Sequence, residues 1–431
     1  MGLILKVSNG QIRGVETENA FVYKGIPYAK PPVGKLRFNA PQACEPWEGI
    51  YEADTFPNRC VQGSQSPDSM YGKEFYADSE WIPPESEDCL YLNVWIPKFV
   101  KEPCPVAIWI HGGGFLSGFS SEVEFDGEEY AKRGVILVTI NYRLGMLGFF
   151  CHPELTARDG RSGNYGLLDQ IAAIDWVREN IGAFGGDINN ITLFGQSAGG
   201  ISVLSLVSSP LMEGKIHRAI IQSAGGYKGL IKQMIALNRH EKVFAGFLKK
   251  KRLSLDSLYD IPAEQLLSLA DKFLRYAPLR TGLFLNFVPV IDGYVIPMNV
   301  SLAAEQGKTM RIPYMLGCTK NDITVGKSGV KDKAKNNMLT SASDWCRIHA
   351  AQGINGYVYY FTHDLPGDGN GAFHSSELWY MFGTLDRCWR PMGKTDYVLS
   401  ERMIDHWVAF MKNDDPGWQA YSKENPYIEE F

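Results

Sequence analysis

Several classes of protein are excluded by what this chain lacks. No apolar run approaches the roughly 20 residues that a membrane-crossing helix needs, so we expect no membrane partner. The longest basic cluster is residues 249–252 and the net charge is −5, so nothing predicts binding to nucleic acid. None of the eight cysteines lies in a C-x-x-C pair, which argues against a zinc site or a thioredoxin-like motif.

A secretory leader is also not apparent. The apolar stretch at residues 3–7 is too short for the hydrophobic segment of a signal peptide, and it ends near the turn-forming pair Asn9-Gly10. Lys6 stands where an N-myristoylation signal requires Ser or Thr. We therefore expect a cytoplasmic protein in which most cysteines are thiols.

Apolar segments that alternate with helical patterns predict the fold class. Continuous apolar runs, typical of strands buried on both faces, occupy 105–110, 135–140, 191–194, 219–221, 314–317 and 357–361. Helical spacing follows several of them, as at 167–181. This alternation indicates an α/β fold with a mostly parallel twisted sheet and helices on both faces. We expect one domain over 1–431, with an antiparallel N-terminal edge and a helical insertion or lid at 228–280.

A G-x-S-x-G pentapeptide occupies residues 195–199, directly after the strand predicted at 191–194. A tight turn between a strand and a helix strains the central serine and leaves room only for very small neighbours, a condition that Gly195 and Gly199 meet. Glycine and serine are also ordinary turn residues. The strand before this turn and the apolar segment after it favour Ser197 as a nucleophile.

Three glycines in the segment 111–115 follow the strand predicted at 105–110. They leave backbone N–H groups open at the carboxyl end of a strand, where ligands bind in open α/β sheets. Such groups can hold the oxyanion of a tetrahedral intermediate. A plain turn is one alternative and a phosphate-binding loop is another, but the G-x-x-x-x-G-K-[ST] pattern is missing. The serine motif favours the oxyanion hole, with the N–H of Ala198 as a further donor.

A nucleophilic serine needs a base and an orienting carboxylate, which in this fold follow it in the order acid, then histidine. His374 lies in a loop beyond the last predicted strands and is the favoured base, and His363 is the second candidate. The other histidines after Ser197 lie before a strand or in predicted helices: His217, His240, His349 and His406.

Together these motifs resemble the type-B carboxylesterases, the carboxylesterase- and cholinesterase-like group of the α/β-hydrolase fold. The resemblance covers nearly the whole chain, and bacterial members of the para-nitrobenzyl esterase kind look most similar. The segments that carry it are 21–29, 37–38, 87–94, 111–115, 141–143, 163–170, 184–187, 194–200 and 371–383.

The resemblance implies a serine carboxylic ester hydrolase that acts through an acyl-enzyme on small to medium acyl or aryl esters. It implies Ser197 as nucleophile, His374 as general base, and N–H donors from Gly113, Gly114 and Ala198. It implies no metal or organic cofactor, and a small-molecule ester as the partner of a protein that we expect to be a monomer.

The acid is implied at Asp322. The family pattern there is G-x-x-x-[DE]-E-G, whereas this chain has Asp322 where Glu is common and Ile323 in place of Gly. Aspartate can perform the same role if it lies closer to the imidazole, because its side chain is one methylene shorter. Asp364 and Asp368 remain alternatives.

Further residues match supporting features of the family. Ser223 matches a serine near the triad, and Cys60 with Cys89 matches a disulfide that a cytosol can keep reduced. Two matched buried ion pairs are Arg37 with Glu87 and Arg143 with Asp169. The aromatic candidates for the substrate pocket are Phe115, Phe119, Trp379 and Tyr380, and the alternative for each is an ordinary place in the core.

The chain also departs from its longer relatives. Only 51 residues separate Asp322 from His374, so we expect a shortened helical region over the active site at 323–355 and a more open pocket. Gln196 stands where choline-ester specialists have Glu, which disfavours a choline ester. The alternatives are a feruloyl esterase, a lipase or an amidase of the same fold, and a non-catalytic cholinesterase-like binding protein.

Overall fold

One ten-stranded sheet runs through the computed structural model, which describes residues 2–99 and 103–431. Its strands are β1 (Val15–Glu16), β2 (Ala20–Pro27), β3 (Tyr91–Pro97), β4 (Cys104–Ile110), β5 (Ile136–Ile140), β6 (Gly186–Gln196), β7 (Arg218–Gln222), β8 (Tyr314–Thr319), β9 (Gly356–Phe361) and β10 (Glu429–Glu430). They lie in the order β10-β9-β8-β7-β6-β4-β5-β3-β2-β1.

Across the sheet, every pair of neighbouring strands from β10 to β5 is parallel, and this part includes β4. The pairs that involve β3, β2 and β1, at the other edge, are antiparallel. The predicted mostly parallel sheet with an antiparallel N-terminal edge is therefore confirmed. Two smaller sheets flank it, one from Ile4–Val7, Gly10–Arg13 and Ile50–Glu52, and one from Arg59–Cys60 and Glu85–Ser86.

Helices cover both faces because successive strand side chains point in opposite directions. In β4, Ile108 belongs to the hydrophobic core on one face and Trp109 to the core on the other. The α-helices are Met70–Phe75, Glu128–Lys132, Gly145–Phe149, Pro153–Asp159, Tyr165–Asn180, Ala198–Leu206, Leu237–Lys251, Ser257–Asp260, Ala263–Tyr276, Pro278–Thr281, Val300–Glu305, Lys327–Lys331, Asn337–Ala350, Leu378–Phe382 and Lys394–Asn413. None of these described helices is long and apolar enough to cross a membrane.

The two segments expected near the active site fold differently from each other. Residues 228–280 form mainly helices that pack together through aromatic side chains, and the rings of Phe244 and Phe273 stack at 4.0 Å. Helix Asn337–Ala350, by contrast, packs against β8 and β9. Of the stretch 323–355, Ile323 lines the cavity described below. A lid role for 228–280 stays a prediction.

Candidate active site

Ser197 lies at the turn between β6 and helix Ala198–Leu206, with φ 56° and ψ −122°. Its neighbours explain why this turn requires glycine. A Cβ at position 199 would lie 2.0 Å from the carbonyl oxygen of Ile110, and one at Gly195 would lie 2.7 Å from the backbone of Gly199. The strained conformation lifts the serine side chain above the end of the sheet, as in the predicted elbow.

The glycine loop that follows β4 lies beside this turn. Gly113 and Gly114 have φ values of 94° and 64°, in the region that favours glycine. Within the described part of the chain, their backbone N–H groups and that of Ala198 donate to no protein acceptor. All three residues line the same cavity as Ser197. The three predicted donors therefore lie in the wall of one cavity with the serine, with no protein acceptor among the described residues.

His374 and Asp322 form a direct buried pair. Nδ1 of His374 lies 2.6 Å from Oδ1 of Asp322, whose side chain has no exposed surface. The two loops are joined just before these residues, because Asn321 pairs with Phe373 in a parallel bridge and donates its N–H to the carbonyl of Ala372. This bridge places an acid and a base from distant segments in register.

The other candidate acids and the second candidate histidine lie elsewhere. Asp364 is 3.3 Å from the Lys320 ammonium, and Asp368 is 2.8 Å from the Arg390 guanidinium. His363 is paired with Asp396 at 2.8 Å through Nε2. Among the described residues, none of these three groups forms a hydrogen bond with His374.

The second ring nitrogen of His374 contacts Gln196, a residue for which the sequence predicted no such contact. Nε2 of His374 is 3.2 Å from the side-chain nitrogen of Gln196, which also donates to Oγ of Ser375 at 2.8 Å. Since Nδ1 carries the proton that is shared with Asp322, Nε2 is the acceptor. In the described residues, His374 makes its side-chain bonds to Asp322 and Gln196 rather than to Ser197.

A further carboxyl, Glu377, acts on the same imidazole. Burial would lower the pKa of His374, but the charge of Asp322, its hydrogen bond and the charge of Glu377 outweigh burial and raise it above the ordinary value. Burial, together with the charge of Asp322, raises the pKa of Glu377 to about 7. Ser223, fully buried, lies with its Oγ 3.5 Å from Oε1 of Glu377. In the sequence, Glu377 is only one residue of the matched segment 371–383, and no pattern there predicts that its charge acts on His374.

These groups open onto a cavity of about 290 Å³. Its wall includes aromatic and aliphatic side chains from several segments: Tyr71, Phe75, Tyr76, Phe125, Leu230, Phe284, Leu285 and Ile323. Mostly apolar walls with a few converging polar groups are typical of small-molecule sites.

The structure places the four aromatic residues expected at this pocket behind its wall. In the described chain none of them lines the cavity. Phe115 packs against Phe149, and Phe119 packs near Tyr76. The side chains of Trp379 and Tyr380 are directed into the core, where they donate to Glu74 at 2.9 Å and to Asp396 at 2.6 Å. Proximity in sequence to the reactive residues was a poor guide, because a helix or turn directs neighbouring side chains apart.

The two matched buried ion pairs are present, whereas the matched disulfide is not formed in this structure. Arg37 pairs with Glu87 at 2.5 Å, and Arg143 pairs with Asp169 at 2.6 Å. Cys60 and Cys89 are both buried thiols.

Comparison with known proteins identifies the family. The carboxylesterase family pattern matches residues 2–344. Para-nitrobenzyl esterase of Bacillus subtilis (strain 168) is 34% identical, over 98% of this chain and 93% of that protein. Bile salt-activated lipase of Homo sapiens is 33% identical, over 96% of this chain and 64% of the lipase. A solved PNB esterase matches 100% of this chain and 96% of its own with TM-score 0.84 and 31% identity. The chain has the α/β-hydrolase fold, is a carboxylic ester hydrolase, and belongs to the carboxylesterase family.

Proposed function

We propose that Ser197 is the nucleophile of this hydrolase, that His374 is its general base and that Asp322 is the orienting acid. The observation that supports this most directly is the 2.6 Å contact between His374 and Asp322, which borders the cavity that contains Ser197. In this scheme Asp322 holds the Nδ1–H tautomer, so that Nε2 can accept a proton.

The reaction proceeds in two steps, acylation of Ser197 and hydrolysis of the acyl-enzyme. Ser197 Oγ attacks the ester carbonyl while its proton passes to Nε2 of His374. The oxyanion is held by the N–H groups of Gly113, Gly114 and Ala198, each worth roughly 3–4 kcal/mol in the barrier. The C–O bond to the alcohol breaks, and the alcohol leaves with the proton from His374. Water then adds to the acyl-enzyme through the same base, and the carboxylic acid is released.

The substrate class follows from the walls of the cavity. The rings of Phe75, Phe125 and Phe284 offer apolar surface beside the serine. We propose small to medium acyl or aryl esters, and similarity to a para-nitrobenzyl esterase supports the aryl class. Similarity to a bile salt-activated lipase makes a triglyceride the second class to test. Nitrophenyl, triglyceride, hydroxycinnamoyl and anilide substrates separate esterase, lipase, feruloyl esterase and amidase activity.

We propose that the protein acts as a monomer. We propose a cytoplasmic location, a compartment in which the thiols of the described cysteines would persist.

The experiment is an assay of para-nitrophenyl acetate hydrolysis by wild type and Ser197→Ala, together with intact mass after treatment with a phosphonate ester. Wild type should hydrolyse the ester and gain one phosphonyl group, and Ser197→Ala should do neither. A phosphonyl group on another serine, or equal rates for the two proteins, would refute the assignment.

A further inference from the structure

Two acidic side chains lie in the wall of the cavity that holds Ser197. Glu122 and Glu124 continue the glycine loop between β4 and helix Glu128–Lys132. They line the cavity together with the serine, yet only 6% and 2% of their surfaces are exposed. The two carboxyl groups are close enough to influence each other's ionisation. Burial disfavours the ionised form of both carboxyls, and the charge of Glu122 adds to this effect on Glu124.

One oxygen of this pair has no donor. The hydroxyl of Tyr76 donates to Oε1 of Glu122 at 2.5 Å. Oε2 of Glu124 is buried and receives no hydrogen bond from any described residue. A buried carboxylate oxygen without a donor is costly, so native proteins satisfy such groups with a partner, water or a ligand.

Glu74 shows how this fold satisfies a buried carboxylate that has a structural role. Its oxygens receive hydrogen bonds from the indole nitrogens of Trp379 and Trp389, at 2.9 and 3.0 Å, and from the guanidinium of Arg390. Glu124 has no comparable set of donors among the described residues, although it is equally buried. The difference points to a partner that arrives from the cavity.

The charge near the pair is also uncompensated. Arg59 is the cation whose charge acts on Glu122, but its guanidinium is paired with Glu85 at 2.8 Å. Burial raises the pKa of both carboxyls, and the charge of Glu122 adds to the effect on Glu124. The negative charge of Glu74 acts in the same direction on Glu124.

We propose that Glu122 and Glu124 bind a primary or secondary ammonium group carried by the ester substrate. This proposal rests on the function proposed above and names a substrate class for the same cavity. An ammonium group supplies both the positive charge and the N–H donors that the pair lacks. A trimethylammonium group has the charge but no N–H. A divalent cation would need more ligands, and the described residues contain no cluster of three or more metal-ligating side chains.

The pH dependence follows from the raised pKa values of the two carboxyls. Binding of an ammonium group favours the ionised form of both carboxyls, whereas burial favours their protonated form. Ammonium affinity should therefore increase from about pH 6 to about pH 8, and it should fall again only when the amine itself loses its proton near its ordinary pKa of about 10. The titratable and charged groups that face the pair are Tyr76, Arg59, Glu74 and Tyr142. Of these, the tyrosines have pKa values raised above the ordinary 10 by burial, and so they stay neutral over this range.

The test is calorimetric titration of the Ser197→Ala protein with n-hexylammonium, n-hexanol and hexyltrimethylammonium. We expect n-hexylammonium to bind at least about tenfold more tightly than either of the others at about pH 8. Adding Glu124→Gln should reduce its affinity to within about twofold of that of n-hexanol, and Glu122→Gln should weaken it similarly. The glutamine has nearly the shape of glutamate, so each variant is checked for an unchanged melting curve.

Asp126→Asn is the matched control. It removes a negative charge two positions beyond Glu124, but Asp126 pairs with Arg387 at 2.5 Å and does not line the cavity. The preference for n-hexylammonium should survive this change. Equal affinity for n-hexylammonium and n-hexanol, or an undiminished preference in Glu124→Gln, would overturn the proposal. Because binding is measured without turnover, such a failure is distinct from a failure of wild type to hydrolyse para-nitrophenyl acetate.

Discussion

The side-chain nitrogen of Gln196 lies 3.2 Å from Nε2 of His374, the ring nitrogen that must take the proton of Ser197 in the proposed mechanism. The opposite ring nitrogen is bonded to Asp322 at 2.6 Å, so both nitrogens are engaged in the free protein. The serine hydroxyl has to replace the glutamine amide before it can attack. Gln196 therefore competes with Ser197 for the base.

Replacing Gln196 with methionine removes the donor and keeps a side chain of similar length. A neutral hydrogen bond of this kind contributes about 1 kcal/mol, so its loss should raise kcat/KM for para-nitrophenyl acetate about fivefold. Ser375→Ala is the control, because it removes the other acceptor of the same amide, 2.8 Å away, and leaves the contact with Nε2. A lower kcat/KM in Gln196→Met would mean that the amide holds the imidazole in place instead.

Asp322→Asn tests the acid. An asparagine cannot stabilise the imidazolium and favours the wrong tautomer, so kcat should fall about ten-thousandfold with KM little changed. Asp364→Asn is the matched control, because Asp364 was an alternative acid and its carboxylate pairs with Lys320 at 3.3 Å. It should retain nearly full activity. Similar losses in both variants would contradict the assignment of Asp322.

The pH profile of kcat/KM should depend on Glu377. His374 acts as a base only when it is neutral, so activity is lost as the pH falls through its pKa. The charge of Glu377 is one of the influences that raise this pKa, so Glu377→Gln should move the acid limb of the profile to lower pH. Because burial raises the pKa of Glu377 itself to about 7, its charge is present mainly near and above that pH, so the shift should be confined to that part of the limb.

Ser223→Ala provides the comparison for that shift. Its hydroxyl lies 3.5 Å from the Glu377 carboxylate but carries no charge. The acid limb should therefore move much less than in Glu377→Gln. An unmoved limb in Glu377→Gln, or a move to higher pH, would show that Glu377 is neutral when the base titrates.

The sequence was most informative where chemistry and local geometry coincide in one short segment. The turn at Ser197 needs glycine on both sides for steric reasons, and the chain order of acid and histidine pointed to a loop histidine such as His374. The strands were visible because they are apolar on both faces. The acid was harder to predict, because the bridge between Asn321 and Phe373 joins segments that local patterns do not relate.

The aromatic residues that line the pocket could not be predicted from the sequence. Phe115 and Trp379 flank reactive segments in sequence, yet their rings lie in the core behind the site. The rings that line the cavity, such as Tyr71 and Phe284, come from segments with no recognisable motif. Which side of a turn faces a cavity depends on long-range packing, and a local pattern does not encode it.

Asp169→Asn should destabilise the fold strongly. Arg143 and Asp169 are almost completely buried, and Arg143 also donates to the carbonyls of residues 37 and 39. Removing the carboxylate leaves an uncompensated buried guanidinium, which should lower the free energy of unfolding by about 3–5 kcal/mol. Urea denaturation followed by tryptophan fluorescence measures the change.

Glu52→Gln is the matched control for that loss. It breaks the ion pair between Arg13 and Glu52, whose side chains are 34% and 50% exposed. An exposed pair contributes at most about 1 kcal/mol, so this variant should unfold close to wild type. Equal losses in the two variants would show that burial does not determine the importance of the Arg143–Asp169 pair.

Cys60 and Cys89 should be thiols in protein purified under reducing conditions and should form a disulfide on oxidation. A hydrogen bond to Cys60 and burial raise the pKa of Cys89, which slows its reaction because the thiolate is the reactive form. Once formed, the bond would close a loop of about 30 residues and raise the free energy of unfolding by about 3 kcal/mol. Intact mass before and after a mild oxidant, then a reductant, follows the change, with Cys60→Ser as the control that cannot form it. If oxidation does not lower the mass of wild type by two hydrogens relative to Cys60→Ser, then Cys60 and Cys89 do not form a disulfide in this protein.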